Sequence, residues 1–550
     1  MNENQKFDEI ISRGMEEYFK RHPRIAVRFG KENYEKVVES GTAEHIKENL
    51  KWFTEWIDKL KKLDNVKLSF ENQITLKAME YYHDINLFMY GAYPLWKKVP
   101  NGLAYFQKII FLLFQRKGPT IKVAEAIVVY LNNLPKYLEE FQSRFDETPI
   151  PIVWRNLALK QIRSTPKLFQ TISEAFYKAT KVPNTLKSML QNAFNESKSI
   201  IQKHIEWINS LPIDENEFAW ALGQENFDKL LNLRKLPWDR KTILNKARSV
   251  IKSSLERLSQ IAKEIDPTKV YYELLEDFWE QDLIPTFQEV LEYSRNEVLR
   301  AKEFINSKNL LSLQEEKLII VETPPHLIHT HPSAAFTQAP YYSRDQPGIY
   351  MITPPQKKNN FLKRSYTSLS NLLVHEAYPG HHLDFACNNK FAPPSRLLFS
   401  DIYRIDPFET IEGWAHYCEE LMLKQGFHKD PIFAEMLTIA DQLNSALKVI
   451  LDVQMHCRQL TQEDAIKMMT NQLRNEAFAK AEIARYSSTP GMNFSYLIGK
   501  LLIEDLRREV KENMGNKFSL KFFHDTILRS GDLPYYLLKE YFDEIIKKNK

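Results

Sequence analysis

The sequence is poor in glycine and in cysteine. Glycine supplies only 15 of 550 residues, less than half of its usual share of ~7 %. Leucine-rich and charged runs, which favour helix, take its place, so we expect a mostly α-helical fold. The cysteines Cys387, Cys418 and Cys457 are odd in number, far apart and without a C-x-x-C spacing. This pattern favours buried thiols in a reducing compartment over a disulfide framework.

The chain also has little net charge and no long apolar run. Its 75 basic and 71 acidic residues are spread along the whole length and give a net charge of +4, so charge predicts no nucleic-acid or membrane partner. No apolar run approaches ~18 residues. The first residues lead into an amphipathic pattern without the apolar segment of a signal peptide. We therefore expect a cytoplasmic protein, and the sequence predicts no particular oligomeric state.

The order of helical and strand-like segments predicts two lobes. At 550 residues the chain exceeds the size at which single hydrophobic cores stop growing. Helical periodicity dominates up to about Leu311, after which Lys317–Val321 and Gly348–Thr353 have the composition of strands. We predict an N-terminal helical lobe over residues 1–311 and a second lobe over residues 312–550, interpenetrating as one unit. The second lobe should contain a small β-sheet.

One stretch carries the chemistry, and residues 375–382 read H-E-A-Y-P-G-H-H. Zinc binds neutral imidazole and carboxylate ligands, and catalytic sites use three protein ligands so that water keeps the fourth position. In the common H-E-x-x-H helix the two histidines lie at i and i+4. Here His375 is followed by His381 and His382 at i+6 and i+7, which a regular helix would separate by roughly 9 and 10.5 Å of rise.

The helix that carries these histidines should therefore be interrupted. Pro379 removes a helical hydrogen bond, and Gly380 can take the conformations that let the chain recover. We predict a bulge or kink between Glu376 and His381. The ring nitrogens of His375 and His381 should lie within about 4 Å of each other, as two ligands at ~2.0–2.1 Å from one zinc require.

Two roles follow from this stretch. His381 is the preferred second ligand, because alignment on the Gly-His pair gives H-E-x-G-H with two residues inserted, and His382 is the alternative. Glu376, beside the first histidine, is the predicted general base, since a metal lowers the pKa of its bound water towards neutrality.

Several segments resemble a known family. Residues 375–382, the Glu-Gly-Trp-Ala segment at 412–415, and residues 486–491 leading to Tyr496 and Gly499 resemble the bacterial and archaeal family known as domain of unknown function 885. The opening stretch, residues 7–30, also resembles the start of that family, so the likeness spans nearly the whole chain. The family in turn is similar to the helical, deep-cleft zinc peptidases of the angiotensin-converting enzyme, thimet oligopeptidase and thermostable carboxypeptidase groups.

The resemblance implies a metallopeptidase-like fold with a site in a deep cleft between the lobes. It makes Glu412 the third metal ligand, and the competitors on the same predicted helix are Glu409, Glu419 and Glu420. Tyr496, or with less support Tyr486, would donate to the oxyanion of a tetrahedral intermediate. In the similar peptidases a sheet edge beside the metal binds extended substrate, a role that residues 334–342 or 348–353 would take.

Further residues have weaker cases for a functional role. His416 lies one turn after Glu412 and could orient a metal ligand without binding the ion. A cationic side chain could bind a substrate carboxylate, and the candidates are Arg485, Lys500 and Arg507. A second histidine cluster is flanked by prolines, which is more typical of a surface or cleft-lining loop than of a catalytic zinc motif; it comprises His326, His329 and His331.

We therefore predict a mostly α, bilobal, zinc-dependent hydrolase of the metallopeptidase type that cleaves peptide or amide bonds of small peptides. One zinc ion per chain would be held by His375, His381 and Glu412, with Glu376 activating water and Tyr496 stabilising the oxyanion. Imidazole and carboxylate ligands also admit manganese or cobalt. The alternatives are a metal-dependent amidase with a non-peptide substrate and a catalytically inactive helical binding protein.

Overall fold

The computed structural model describes residues 1–324, 328, 334–343, 345–355, 364–397 and 408–549. These residues are mostly helical with a small sheet, which confirms the predicted fold class. The chain divides into two compact units. The first comprises Met1–Trp220, Pro324–Pro332 and Pro340–Gln346, and the second comprises Ala221–Thr323, Ser333–Ala339 and Pro347–Lys550. The predicted lobes 1–311 and 312–550, and the cleft between them, stay predictions.

The first unit is helical, with one short pair of parallel strands. Its first helix begins at a capping box, in which the side chains of Asn2 and Gln5 each accept a hydrogen bond from the other's backbone N–H. Its elements are α1 Glu3–Arg21, α2 Pro23–Arg28, α3 Ala43–Lys61, α4 Phe70–Ala92, α5 Ala104–Lys117, α6 Ile121–Gln142, β1 Ile150–Pro151, α7 Ile152–Ile162, α8 Thr165–Lys178, α9 Asn184–Ser210 and β2 Ile213–Asp214.

The second unit contains all of the predicted site residues that the structure describes. Its elements are α10 Gln224–Leu233, α11 Arg240–Ile265, α12 Tyr271–Gln281, α13 Phe287–Ser307, β3 Leu318–Glu322, β4 Ala334–Thr337, β5 Gly348–Ile352, α14 Tyr366–Glu376, α15 His381–Phe391, α16 Pro394–Leu397, α17 Phe408–Lys424, α18 Pro431–His456, α19 Gln462–Leu473, α20 Glu476–Tyr486, α21 Ser495–Met514, α22 Leu520–Ser530 and α23 Tyr535–Asn549.

Side-chain caps define the starts of two helices of this unit. At α14, Oγ of Ser365 accepts from the N–H of Ser368 at 3.1 Å, and Oγ of Ser368 accepts from the N–H of Ser365 at 3.2 Å. At α18, Asp430 accepts from the N–H of Phe433 at 2.9 Å. Pro431 follows this cap, where its missing N–H costs the helix nothing.

The described sheet has the order β3-β5-β4, with β3 parallel and β4 antiparallel to β5. Both predicted strands are present, at Leu318–Glu322 and Gly348–Ile352. The prediction that residues 348–353 offer a free edge is wrong, because β5 is hydrogen-bonded on both sides and fully buried. β4, within the other predicted segment, lies at an edge of this sheet.

Helices α17 and α21 pack with their backbones in contact. A Cβ atom on Gly413 would lie 2.4 Å from the carbonyl carbon of Gly499, and one on Gly499 would lie 1.9 Å from the carbonyl oxygen of Glu409. Only glycine permits so close an approach. The crossing brings the turn that contains Glu412 close to the turn that contains Tyr496.

Two further sequence-based expectations concern the state of the cysteines and the lack of a long apolar segment. All three cysteines are buried and unpaired, which confirms the predicted buried thiols. No helix among the described residues combines the length and the apolar content that crossing a membrane requires.

Candidate metal centre

The helix that carries His375 is interrupted, as the sequence predicts. α14 ends at Glu376, and α15 begins at His381. A Cβ atom on Gly380 would lie only 1.7 Å from the carbonyl oxygen of His375, so this turn requires glycine. It brings the imidazole rings of His375 and His381 together, with their centroids 4.8 Å apart and their planes at 88°.

Three side chains converge at this turn. The Nε2 atoms of His375 and His381 lie 3.7 and 3.4 Å from Oε2 of Glu412, and the three ligand atoms all lie within 4.8 Å of one another. Two ligands of one tetrahedral zinc, each at ~2.0–2.1 Å, are separated by about 3.3–3.4 Å. A charge-assisted hydrogen bond would be shorter, at ~2.7–2.9 Å. The donor types and their spacing therefore fit a zinc ion better than they fit ion pairing.

His382 lies on the other side of α15. A Cβ atom on Gly348 would lie 2.8 Å from its Nδ1, and its ring centroid lies 5.6 Å from that of Phe336. Burial lowers its pKa to about 4. Of the two histidines that the sequence left as alternatives, His381 is therefore the one near His375, while His382 packs against the sheet.

α17, which carries Glu412, is anchored to the interrupted turn. The indole N–H of Trp414 donates a buried hydrogen bond of 2.9 Å to the carbonyl oxygen of Pro379. The bond satisfies two polar groups that would otherwise be costly to bury. The tryptophan of the Glu-Gly-Trp-Ala segment thus helps to hold Glu412 beside the histidines.

Glu419 fixes the orientation of the first histidine. Its Oε1 lies 2.6 Å from Nδ1 of His375, and its Oε2 accepts from the side-chain amide of Asn371 at 3.2 Å. A bond at Nδ1 directs the opposite ring nitrogen, Nε2, towards Glu412, which is the usual role of a carboxylate behind a metal-binding imidazole. From the sequence, Glu419 is only a competitor of Glu412. The sequence does contain a signal for its orienting role. Glu419 lies seven residues after Glu412, and residues at i and i+7 share a helix face.

The local charges keep Glu412 ionised. Burial raises its pKa, but the charges of His381 and His375 hold that pKa well below its ordinary value. For His375, burial lowers the pKa, but the carboxylates of Glu412 and Glu419 raise it well above its ordinary value. A metal ligand must be deprotonated. Glu412 meets that requirement, whereas His375 would have to release its proton to bind an ion.

A second group could also hold an ion by its donor types. It consists of His375, His416 and Glu419, with Nδ1 of His416 lying 3.7 Å from Glu419. The 2.6 Å contact between Glu419 and His375 is too short for two ligands of one ion and has the length of a hydrogen bond. This group is therefore less suited to a metal than the first. The remaining histidine cluster lies outside the described residues and comprises His326, His329 and His331.

The other two competitors of Glu412 are engaged elsewhere. Glu409 is fully buried and forms an ion pair with Arg234. Glu420 pairs with Lys500 and with Lys424. Neither glutamate belongs to a group of side chains that could hold a metal within the described ranges.

Tyr496, the predicted oxyanion donor, lies beside this centre. Its ring contacts that of His416 edge-on, with centroids 5.5 Å apart. Burial, and then the charge of Glu412, raise the pKa of Tyr496 well above its ordinary value, so the phenol keeps its proton at neutral pH. Tyr486 is completely buried, and its carbonyl oxygen lies 3.0 Å from Nε2 of His456.

The loop before Tyr496 is held by Asp452, a residue that no sequence motif indicates. The buried carboxylate of Asp452 accepts backbone hydrogen bonds from Gly491, Asn493 and Phe494 at 3.0, 2.8 and 3.0 Å. Burial raises the pKa of Asp452 to about 6, and these bonds oppose that rise. Asp452 comes from α18, so no local pattern could have identified it.

Glu376, the predicted general base, ends α14 and is half-buried. Within the described segments its carboxylate makes no hydrogen bond or ion pair, and its charge acts on His375 and on Tyr350 of β5. A carboxylate with uncommitted oxygens beside the proposed ligands suits a group that must accept a proton.

Each predicted carboxylate-binding cation already has a partner. Arg485 is bound by both oxygens of Glu482, at 3.2 and 2.7 Å. Lys500 pairs with Glu420, and with Glu504 at 3.1 Å. Arg507 donates to the hydroxyl of Tyr417 at 2.9 Å. These existing contacts weaken the case that any of the three binds a substrate carboxylate.

Comparison with solved structures gives two similar folds. The crystal structure of a candidate lipoprotein from Colwellia psychrerythraea has a TM-score of 0.84 and 18% identity, and the match covers 100% of both chains. A candidate lipoprotein of unknown function from Shewanella oneidensis has a TM-score of 0.77 and 19% identity, covering 97% of this chain and 99% of that one. At these identities the likeness shows a shared fold.

Comparison with protein families assigns the chain to one family. No curated protein matches the sequence. The family described as "Bacterial protein of unknown function (DUF885)" matches residues 23–541, which is nearly the whole chain. The protein therefore belongs to the DUF885 family.

Proposed function

We propose that this protein is a zinc-dependent hydrolase of the metallopeptidase type, which cleaves peptide or amide bonds of small peptides. The observation that carries the proposal is the convergence of His375, His381 and Glu412 at separations that suit one ion per chain. Two imidazoles and one carboxylate form the ligand set of known catalytic zinc sites. A zinc ion bound there would polarise the substrate carbonyl and lower the pKa of a water molecule.

Glu376 would carry the proton in this reaction. It would accept a proton from the attacking water and pass it to the leaving nitrogen. The water then adds across the carbon–nitrogen bond, and one acid and one amine are released. A positioned proton carrier of this kind typically contributes ~10²–10⁴-fold to the rate.

Tyr496 would stabilise the negative charge that develops on the substrate carbonyl oxygen. Its phenol retains its proton, for the reasons of burial and neighbouring charge given above. A hydrogen-bond donor aimed at an oxyanion is typically worth ~10²–10³-fold in rate. His416, in contact with the Tyr496 ring, would hold that ring in place.

Two observations support a peptide as the substrate. Residues 375–382 resemble the metal motif of helical zinc peptidases. The edge strand β4 also lies near this motif, since its Phe336 contacts His382, and a sheet edge can bind an extended backbone. Membership of DUF885 by itself leaves the substrate open.

The cytoplasmic location is also our proposal, and it rests on the sequence pattern. The two similar structures belong to proteins described as candidate lipoproteins, which is the observation against it. Fractionation of cells that express the natural gene would decide between the cytoplasm and a membrane-associated location.

Metal analysis and peptide digestion would test the proposed function. The purified protein should contain about one zinc per chain, and His375→Ala should contain little. The zinc-loaded protein should cleave members of a synthetic peptide library, and Glu376→Gln should not. A protein without metal would favour the inactive binding protein, while a zinc protein that hydrolyses only non-peptide amides would favour the amidase.

A further inference from the structure

Lys448, on α18, is a cation beside the candidate centre that forms no ion pair with any described residue. Its ammonium nitrogen lies 4.3 Å from the centre of the Tyr496 ring. In the part of the chain that the structure describes, it makes no hydrogen bond and no ion pair. Arg485 and Lys500 each have carboxylate partners and Arg507 donates to the hydroxyl of Tyr417, so Lys448 differs from all three cations that the sequence suggested.

The surroundings of Lys448 make an additional anion favourable there. The side chain is half-buried, and burial lowers its pKa, which shows that its charge is poorly solvated. The carboxylates of Glu482, Glu412 and Asp441 attract this charge and the guanidinium of Arg485 repels it, and none of the three carboxylates forms an ion pair with it. A poorly solvated charge without a partner is costly, and an incoming anion would offset that cost.

Solvent and ligands can reach this face of α18. Asp441 lies seven residues before Lys448, so both side chains project from the same helix face. The Asp441 side chain is exposed, and its charge interacts with Glu419 and with Lys448. An exposed residue that interacts with the centre indicates that this face is open to solvent beside the proposed ligands.

We propose that the Lys448 ammonium binds the free terminal carboxylate of the substrate, so that the protein acts on short peptides or N-acylated amino acids with a free C-terminus. The proposal rests on the proposed function, because it concerns a substrate of the same centre. The Tyr496 ring has Lys448 over its face and lies perpendicular to the ring of His416. An anion on Lys448 would therefore lie next to the phenol that is proposed to stabilise the oxyanion.

Two chemical sources could supply the carboxylate, and the test must separate them. The terminal carboxylate lies within a limited distance of the scissile bond, because each intervening residue spans at most ~3.3–3.6 Å. An acidic side chain would present the same group by a longer and more flexible connection. The three probes are therefore N-acetyl-alanyl-leucine, its C-terminal amide, and N-acetyl-alanyl-glutamate α-amide, whose only carboxylate is on the side chain.

Binding is measured by calorimetry on the zinc-loaded full-length protein that carries Glu376→Gln, which suppresses turnover. The free acid should bind ~10–100-fold more tightly than its amide, the range expected for a hydrogen bond to a charged group. Lys448→Met, added to the same protein, should remove this preference and leave the affinity for the amide unchanged. Lys448→Arg should retain most of it. Lys480→Met, an exposed lysine of α20, is the control for the lost charge.

The outcomes separate this proposal from the proposed function. Equal binding of acid and amide, equal weakening of both by Lys448→Met, or no binding of either would overturn it. A Lys448-dependent preference for the side-chain carboxylate alone would overturn the terminal assignment. If the acid binds through Lys448 but the protein with Glu376 intact hydrolyses none of the probes, the carboxylate site stands and the hydrolase fails. If the probes are hydrolysed without any preference for the acid, the hydrolase stands and the carboxylate site fails.

Discussion

Two glutamates one turn apart on α17, Glu409 fully buried and Glu412 partly buried, have different surroundings. Glu409 is bound by the guanidinium of Arg234, whereas Glu412 lies 3.4 and 3.7 Å from two imidazole nitrogens. Arginine stays charged at any pH that a protein tolerates and saturates the carboxylate with hydrogen bonds. Two imidazoles at coordination spacing leave room for an ion. The type and distance of the partner therefore distinguish a glutamate committed to an ion pair from one that is a candidate metal ligand.

The largest expected effect tests whether the group of residues around Glu412 is a catalytic site. Glu376→Gln should lower kcat by ~10²–10⁴-fold, because it removes the proton acceptor, while the zinc content stays unchanged. Steady-state kinetics on a cleaved library peptide, with metal analysis, would measure both. Glu476→Gln, at an exposed position, is the matched control. A loss below about tenfold would show that Glu376 is not the general base.

Replacing Glu409 and Glu412 by alanine, one at a time, tests the comparison directly. Glu409→Ala should lower the free energy of unfolding by ~3–5 kcal/mol, because it removes the carboxylate that pairs with the buried Arg234 guanidinium, yet the folded fraction should keep its zinc. Glu412→Ala should lose zinc and remain folded. Chemical denaturation and metal analysis measure the two effects. If Glu409→Ala strips the metal while Glu412→Ala retains it, the two roles are reversed.

Much of the local structure of this region can be predicted from the sequence. A histidine spacing of i+6, with proline and glycine between, conflicts with a regular helix, and the helix does break there. The strands 318–322 and 348–352 follow from composition. These features depend on neighbours in the chain, and local stereochemistry is enough to infer them.

The choice among the acidic residues could not be predicted in the same way. Glu409, Glu412 and Glu419 share one helix, and what distinguishes them is a partner from elsewhere in the chain. Arg234 lies 175 residues from Glu409, and Asp452 lies 39 residues from the N–H of Gly491. No periodicity connects positions so far apart. Lys448 could not be identified for the same reason, because what distinguishes it is that no described residue forms an ion pair with it.

The crossing of α17 and α21 involves both glutamates, because Gly499 packs against the backbone of Glu409 and the turn of Glu412 lies close to that of Tyr496. This crossing can be disrupted at Gly499. A Cβ atom there would lie 1.9 Å from the carbonyl oxygen of Glu409, and overpacking of a core typically costs ~1–3 kcal/mol. We expect Gly499→Ala to lower the free energy of unfolding by ~3 kcal/mol and to reduce kcat by displacing Tyr496, with zinc retained. Gly91→Ala, where a Cβ atom meets nothing within 4 Å, is the control. Equal stability of both variants would contradict the backbone contact.

Glu419, a second buried glutamate of α17, gives the smallest expected effect. It bonds to Nδ1 of His375 at 2.6 Å, and a carboxylate in that position orients an imidazole without binding the ion. Glu419→Gln should therefore weaken zinc binding by ~10–100-fold while the protein stays folded. Competition with a chelator measures the change, and Glu435→Gln, in a partly exposed ion pair, is the control. Unchanged affinity would show that the bond does not orient the ring. Complete loss of zinc, matching that expected for Glu412→Ala, would instead favour the group formed with His416.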